Sequence, residues 1–176
     1  MPVTRSVPKE GEWPTYFSTS VVINAPRQKV WDALVDFPAY AKWNPYLRES
    51  TLLDASKKPT LPGHEIVQGN YVALKAQMPP TLDDSVKPRG MTELVKHVDP
   101  QRQLAWGSHL PGWLFGAEHW NVLSDVPGGG TKFEIIAVFS GAGPYVMLRL
   151  MSLRQPFTEA IQGMAEGLKT RCEQSS

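Results

Sequence analysis

The sequence predicts an α+β fold in which an antiparallel sheet wraps around a C-terminal helix. Three observations carry that expectation. Strand and turn signals alternate regularly from Met91 to Ser140, as an antiparallel meander requires. Near the C-terminus Phe157, Ala160, Ile161, Met164, Ala165 and Leu168 recur at helical spacing, giving one apolar face that needs a sheet to cover. Ahead of both, the β-branched run Val21-Val22-Ile23 is followed by two short helical stretches instead of a tight turn, so the sheet must accommodate something between its strands and its helix.

Taken in order, residues 1–14 hold Pro2, Pro8, Pro14 and mixed charges without periodicity, and are expected to form a loosely ordered tail. Residues 15–176 are expected to form one domain, since a chain of 176 residues with 41% hydrophobic content can bury a sizeable core. A first helix starts at Asn24-Ala25-Pro26, where Asn24 can accept from the free backbone N–H groups and Pro26 suits the first turn. Val30, Ala33, Leu34 and Phe37 form its apolar stripe, and Pro38 stops it. A second short helix covers Ala39 to Trp43, after which Asn44-Pro45 turns the chain into an extended segment from Tyr46 to Leu53. Asp54 to Gly63 reads as a loop, Glu65 to Gln77 as a strand with a bulge at Gly69, and Met78 to Gly90 as a second long loop. The meander follows as strands Thr92–Val98, Gln103–His109, Gly116–Ser124 and Thr131–Ser140, separated by turns at Asp99–Arg102, Pro111-Gly112 and Pro127–Gly130. Pro156 is expected to kink or divide the helical C-terminal segment.

Composition excludes several classes of function. Lys and Arg number 18 against 17 for Asp and Glu, so no global field favours nucleic acid or an anionic membrane. Cys172 stands alone and cannot form an internal disulfide, Met1 to Lys9 lacks the apolar core of a signal peptide, and no apolar run is long enough to span a bilayer. A cytoplasmic protein without integral membrane association is the expectation. His64, His97, His109 and His119 form no HExxH pattern, and the chain has no GxSxG, P-loop or helix-opening GxGxxG motif. Neither a metal nor another cofactor is expected.

The turns also fix a register. A tight Asp99–Arg102 connection puts Val95 opposite Trp106, the next connection puts Trp106 opposite His119, and the Gly-rich turn puts His119 opposite Ala137. Period two adds Leu104, Asn121, Leu123, Phe133, Ile135 and Phe139 to that face, which is mostly apolar and expected to meet the helix. Glu118, Lys132 and Glu134 fall on the other face, toward solvent. His119 and Asn121 interrupt the apolar face, and leaving either unpaired there costs roughly 1–3 kcal/mol. Each needs a partner: another side chain, an internal water or a ligand oxygen. Trp43 and Asn44 either define the fold or form a pocket mouth, and Tyr71 either lines the pocket or projects outward. Met147, Met151, Phe157, Ile161 and Met164 are core residues that also supply a helical wall to any cavity.

The segments INAPRQKVWDALVDFPAYAKWNPY, VDPQRQLAW, LPGWLFGAEHW, PGGGTKFE, VFSG and FTEAIQGMAEGLKTR occur in an order that resembles the SRPBCC (START-like, birch-pollen-allergen-like) superfamily and, within it, the polyketide cyclase/dehydratase-like branch. The resemblance implies a helix-grip fold: a curved antiparallel sheet wrapped around a long C-terminal helix, with two short helices after the first strand and a deep apolar cavity between sheet and helix. It further implies a polyketide-, terpenoid- or lipid-like ligand in that cavity, admitted past the Met78 to Gly90 loop and the Trp43-Asn44-Pro45 turn. A second reading is a cofactor-independent cyclase, dehydratase or isomerase with His119 as general acid/base and Asn121 or Tyr71 orienting a carbonyl. His119 matches the family's glutamate-histidine pair at the start of its strand, whereas Ile135 and Ala137 stand where members often carry polar residues. A third is an adaptor whose groove takes a protein partner.

Overall fold

The computed structural model describes residues 6–61, 63–150 and 152–174. The chain runs through β1 (Thr15–Ile23), α1 (Arg27–Val35), a 3-10 turn (Phe37–Ala39), α2 (Tyr40–Trp43), β2 (Leu47–Leu53), β3 (Tyr71–Ala76), β4 (Arg89–Asp99) and β5 (Gln103–Gly107). It continues through α3 (Gly112–Phe115), β6 (Gly116–Val126), β7 (Gly130–Ser140), α4 (Ala142–Tyr145), a π turn (Val146–Leu150) and α5 (Arg154–Gln174). The strands form a seven-stranded sheet in the order β1-β7-β6-β5-β4-β3-β2, antiparallel throughout. This is the helix-grip arrangement, with α1 and α2 linking the two edge strands.

The expected register is the observed one: Val95 pairs with Trp106, Trp106 with His119 and His119 with Ala137. On this inner face the sheet shares one buried cluster with Phe157, Ala160, Ile161, Met164, Ala165 and Leu168 of α5. The helix approaches α2 backbone to backbone at Gly167, where an added Cβ would lie 2.3 Å from the Trp43 carbonyl oxygen. Only glycine permits that contact.

Five local expectations are corrected. Asn24 does not cap α1; Pro26 is the cap residue, with φ −62° and ψ 147° and no side-chain cap bond, and the Asn24 N–H instead donates to Glu173 Oε1 at 2.8 Å. Residues 65–70 are not strand, because Asn70 Oδ1 accepts from the Val67 N–H at 3.0 Å and Gly69 holds φ +93°, a turn that delays β3 to Tyr71. Pro111 leads into α3, with the Leu114 and Phe115 N–H groups both donating to its carbonyl. Pro156 lies in the first turn of α5, where the missing N–H costs nothing. The outer face is not simply solvated. Ala105, Trp120, Ile136 and Val138 form a second cluster there, with Val7 and Trp13 from ahead of β1 packed against it. Glu118 on this face is buried and accepts from Trp120 Nε1 at 3.0 Å and Lys96 Nζ at 3.3 Å.

Candidate functional site

A cavity of about 90 Å³ lies between the inner face and the start of α5. β5, β6 and β7 bring Trp106, Ala117, His119, Ala137 and Phe139 to it, while α5 supplies Phe157. Leu47 and Leu74 close it on the β2–β3 side, and Met78, Met91, Phe115 and Met147 stand around its mouth. The Trp106 and His119 rings stack with centroids 5.0 Å apart and planes inclined by 10°. Phe139 and Phe157 meet edge to face at 5.1 Å, and Tyr46 meets Phe157 in the same way at 6.0 Å.

Four titratable residues line this otherwise apolar space, His119, Glu93, Tyr46 and Glu118, and of these Glu118 has its carboxylate engaged by Lys96 and Trp120. His119 is buried and its Nε2 has no hydrogen-bond partner. Burial pushes its pKa down from 6.5 to about 4, only partly offset by the Asn121 amide beside it. Glu93 reaches the cavity because it lies two residues before Val95 on the same face of β4. Burial raises its carboxyl to about 7 against the opposing pull of Lys96. Burial likewise raises the Tyr46 phenol, with the Glu93 charge adding to the effect. Between pH about 4 and about 7 a neutral imidazole that can accept a proton and a neutral carboxylic acid that can give one face the same space. Strand spacing puts their backbones ~12 Å apart, room for a ligand between them.

Of the residues expected at the site, Trp106, His119, Phe139, Met147 and Phe157 line the cavity. Val95, Leu104, Leu123, Phe133, Ile135, Ile161 and Met164 belong to the buried cluster but not to the cavity lining. Asn121 lies deeper, its Nδ2 donating to the Leu104 carbonyl at 3.3 Å and its Oδ1 unpartnered. Tyr71 is corrected: it pairs with Leu94 one residue out of phase with the inner face, and projects outward under Lys57 Nζ, 4.7 Å from its ring. Trp43 and Asn44 are also absent from the lining. Asn44 Oδ1 accepts from the Tyr46 and Leu47 N–H groups at 3.0 and 2.9 Å, so it shapes the turn that delivers Tyr46 and Leu47 to the cavity. Met151 lies outside the described residues.

The Met78–Gly90 segment is tied to that same turn. The Thr81 N–H donates to the Pro45 carbonyl at 3.0 Å, and Arg48 Nη2 meets Asp84 Oδ1 at 2.7 Å while Nη1 donates to the Ala41 carbonyl, also at 2.7 Å. Among the described residues no group of three or more His, Cys, Asp and Glu side chains could hold a metal ion, and no helix is long and apolar enough to cross a membrane.

Residues 14–173 match the family model described as polyketide cyclase / dehydrase and lipid transport. No curated protein sequence matches the chain. Solved structures share its fold at low sequence identity. A START superfamily protein of Mycobacterium smegmatis superposes with a TM-score of 0.64 at 14% identity, covering 92% of this chain and 99% of its own. The Zhui aromatase/cyclase of a Streptomyces species superposes with a TM-score of 0.65 at 17% identity, covering 91% and 94%.

Proposed function

Because the chain belongs to the polyketide cyclase / dehydrase and lipid transport family, we propose that it binds a hydrophobic small molecule bearing a carbonyl or hydroxyl group in the cavity between β4–β7 and Phe157. The observation that carries this reading is the unpartnered Nε2 of His119 at the wall of an apolar space. A buried polar nitrogen without a partner costs roughly 1–3 kcal/mol, and a ligand oxygen placed there removes that cost. At about 90 Å³ the cavity is smaller than sites for drug-sized ligands, which run to roughly 300–1,000 Å³, so binding requires it to widen. Met78, Met91 and Met147 at the mouth have flexible, unbranched side chains that can swing aside and then mould to an irregular ligand.

The test is uptake of the neutral probe N-phenyl-1-naphthylamine, together with native mass spectrometry of the purified protein. Ala137 faces His119 across the β6–β7 ladder, so Ala137→Leu fills the cavity and should weaken uptake at least about tenfold, roughly 1.4 kcal/mol. Undiminished uptake by the folded variant would reject the cavity as the site.

The pairing of a neutral acid with a neutral base supports a second reading, in which the bound molecule is also cyclised, dehydrated or isomerised. His119 then removes a proton beside the ligand carbonyl and Glu93 protonates the oxygen. Under that reading Glu93→Gln and His119→Ala each remove turnover of a co-purified compound while leaving it bound; turnover at the parent rate in either variant excludes the assignment.

A further inference from the structure

A second recess lies at the other end of the inner face. It is a cleft of about 720 Å³ between α1, the 3-10 turn and the edge strand β2, with Val98 and Pro100 at the end of β4 closing its floor. Phe37 in its wall meets Trp106 in the cavity wall edge to face, with centroids 6.3 Å apart, so two aromatic side chains separate the two spaces. The walls are apolar, with Trp31, Phe37, Leu52 and Ile66 foremost. The rim is acidic: Asp32, Asp36 and Glu65 line it together with His64, and among the described residues no lysine or arginine does. Asp36 is neutralised by Arg171 at 2.8 Å. Among the described residues Asp32 receives the neutral Gln28 amide and no cation.

Inside the cleft Ser50 is 6% exposed, and its Oγ has no hydrogen-bond partner. Ser50 pairs with Leu74 on the inner side of β2, which aims the hydroxyl at the recess rather than at solvent. An apolar slot of ligand size, a buried hydroxyl lacking a partner and an uncompensated acidic rim define the ends of one molecule.

We propose that this cleft is a second ligand site, for an amphipathic amine. The apolar body lies between Trp31, Phe37, Leu52 and Ile66, a polar atom bonds Ser50 Oγ, and the ammonium sits at the rim with Asp32 and Glu65. The proposal does not rest on ligand binding in the cavity, and either site can fail without the other.

Binding of dansylcadaverine, a fluorophore on an alkyl primary amine, tests it against the matching dansyl alkanoic acid at low ionic strength. The amine should bind about tenfold more tightly than the acid, a preference that two partly exposed carboxylates can supply. Asp32→Asn with Glu65→Gln, both at the exposed rim, should bring the two affinities to within about threefold, and Ser50→Ala should weaken the amine several-fold. Amide shifts on adding the amine should fall at residues 31–38 and 50–52. Ala137→Leu in the cavity should leave its affinity unchanged. Equal affinity for amine and acid, amide shifts centred on residues 117–119, or an unaffected Ser50→Ala variant would each overturn the proposal.

Discussion

Where β5, β6 and β7 run side by side, one end of the sheet's inner face is filled and the other is hollow, although both follow the same alternation. Toward the β4–β5 turn, Leu104, Asn121, Leu123, Phe133 and Ile135 are fully or almost fully buried and none of them lines the cavity. Toward α3, the same strands present Ala117 and Ala137, and the flat Trp106–His119 stack leaves space in front of it. Alternation therefore decides which residues face inward, while side-chain volume decides whether that interior is solid. Polarity follows the same division. The solid end holds Thr131, whose hydroxyl donates to the Ala25 carbonyl, and Asn121, whose Nδ2 donates to the Leu104 carbonyl while its Oδ1 is unpartnered. The hollow end gathers His119, Glu93 and Tyr46. Unpaired polar groups are tolerable where a ligand can reach them and expensive where only side chains can.

The largest expected effect comes from truncating one residue at each end. Phe133 is wholly buried in the solid end, and Phe133→Ala should cost about 3–5 kcal/mol in urea denaturation, because the lost contacts leave a void that the strands cannot close. Met147 borders a space that already exists, so Met147→Ala should cost less than about 1 kcal/mol and should enlarge the mouth. Equal losses would mean that the hollow end is as rigidly packed as the solid one.

How much of this was legible in the sequence depends on what each feature needs. The pairings of Trp106 with His119 and of His119 with Ala137 follow from short connections, which fix the register locally, and they hold without a slip, whereas Val95 reaches Trp106 through a register shift between Val95 and His97. The same period-two count places Glu93 two residues before Val95, yet in the run Thr92-Glu93-Leu94 the carboxylate looks like a solvated residue; it lines the cavity together with Tyr46 and Phe157, which arrive from far along the chain. Glu118 shows the converse. Its outward phase was readable, but its burial goes with Trp120 and Lys96, which its carboxylate meets, on a face where Val7 and Trp13 pack against Trp120 and its neighbours. Which end of the inner face is hollow is a sum of volumes across several strands and α5, and no local spacing encodes it. The cleft beneath α1 depends on how the chain between β2 and β3 folds back onto β2, a return marked by the bridge from Leu53 to Pro59 and by the Thr60 N–H and hydroxyl, which both donate to the Leu52 carbonyl.

The hollow end should also show itself through pH, with an effect of up to roughly 3 kcal/mol and opposite signs for its two ionisable groups. His119 stays neutral in the folded chain down to about 4, whereas in the unfolded chain an imidazole takes up a proton below about 6.5. Its contribution is therefore complete above that value and is lost as pH falls toward 4. Glu93 keeps its proton up to about 7 when folded and loses it above about 4.5 when unfolded, so its contribution is complete in acid and is lost as pH rises through 7. In the parent protein the two slopes largely cancel between pH 4.5 and 6.5. Glu93→Gln removes one slope, and its stability relative to the parent should fall as pH drops from 6.5 toward 4.5. His119→Gln removes the other, and its relative stability should fall as pH rises from 4.5 to 6.5 and stay level above that. Phe133→Ala, at the end without ionisable groups, should give an offset that does not vary with pH. Denaturation curves at several pH values separate the three; if the Glu93 and His119 variants run parallel to the parent, these side chains are not held neutral by the cavity and the acid/base reading loses its basis.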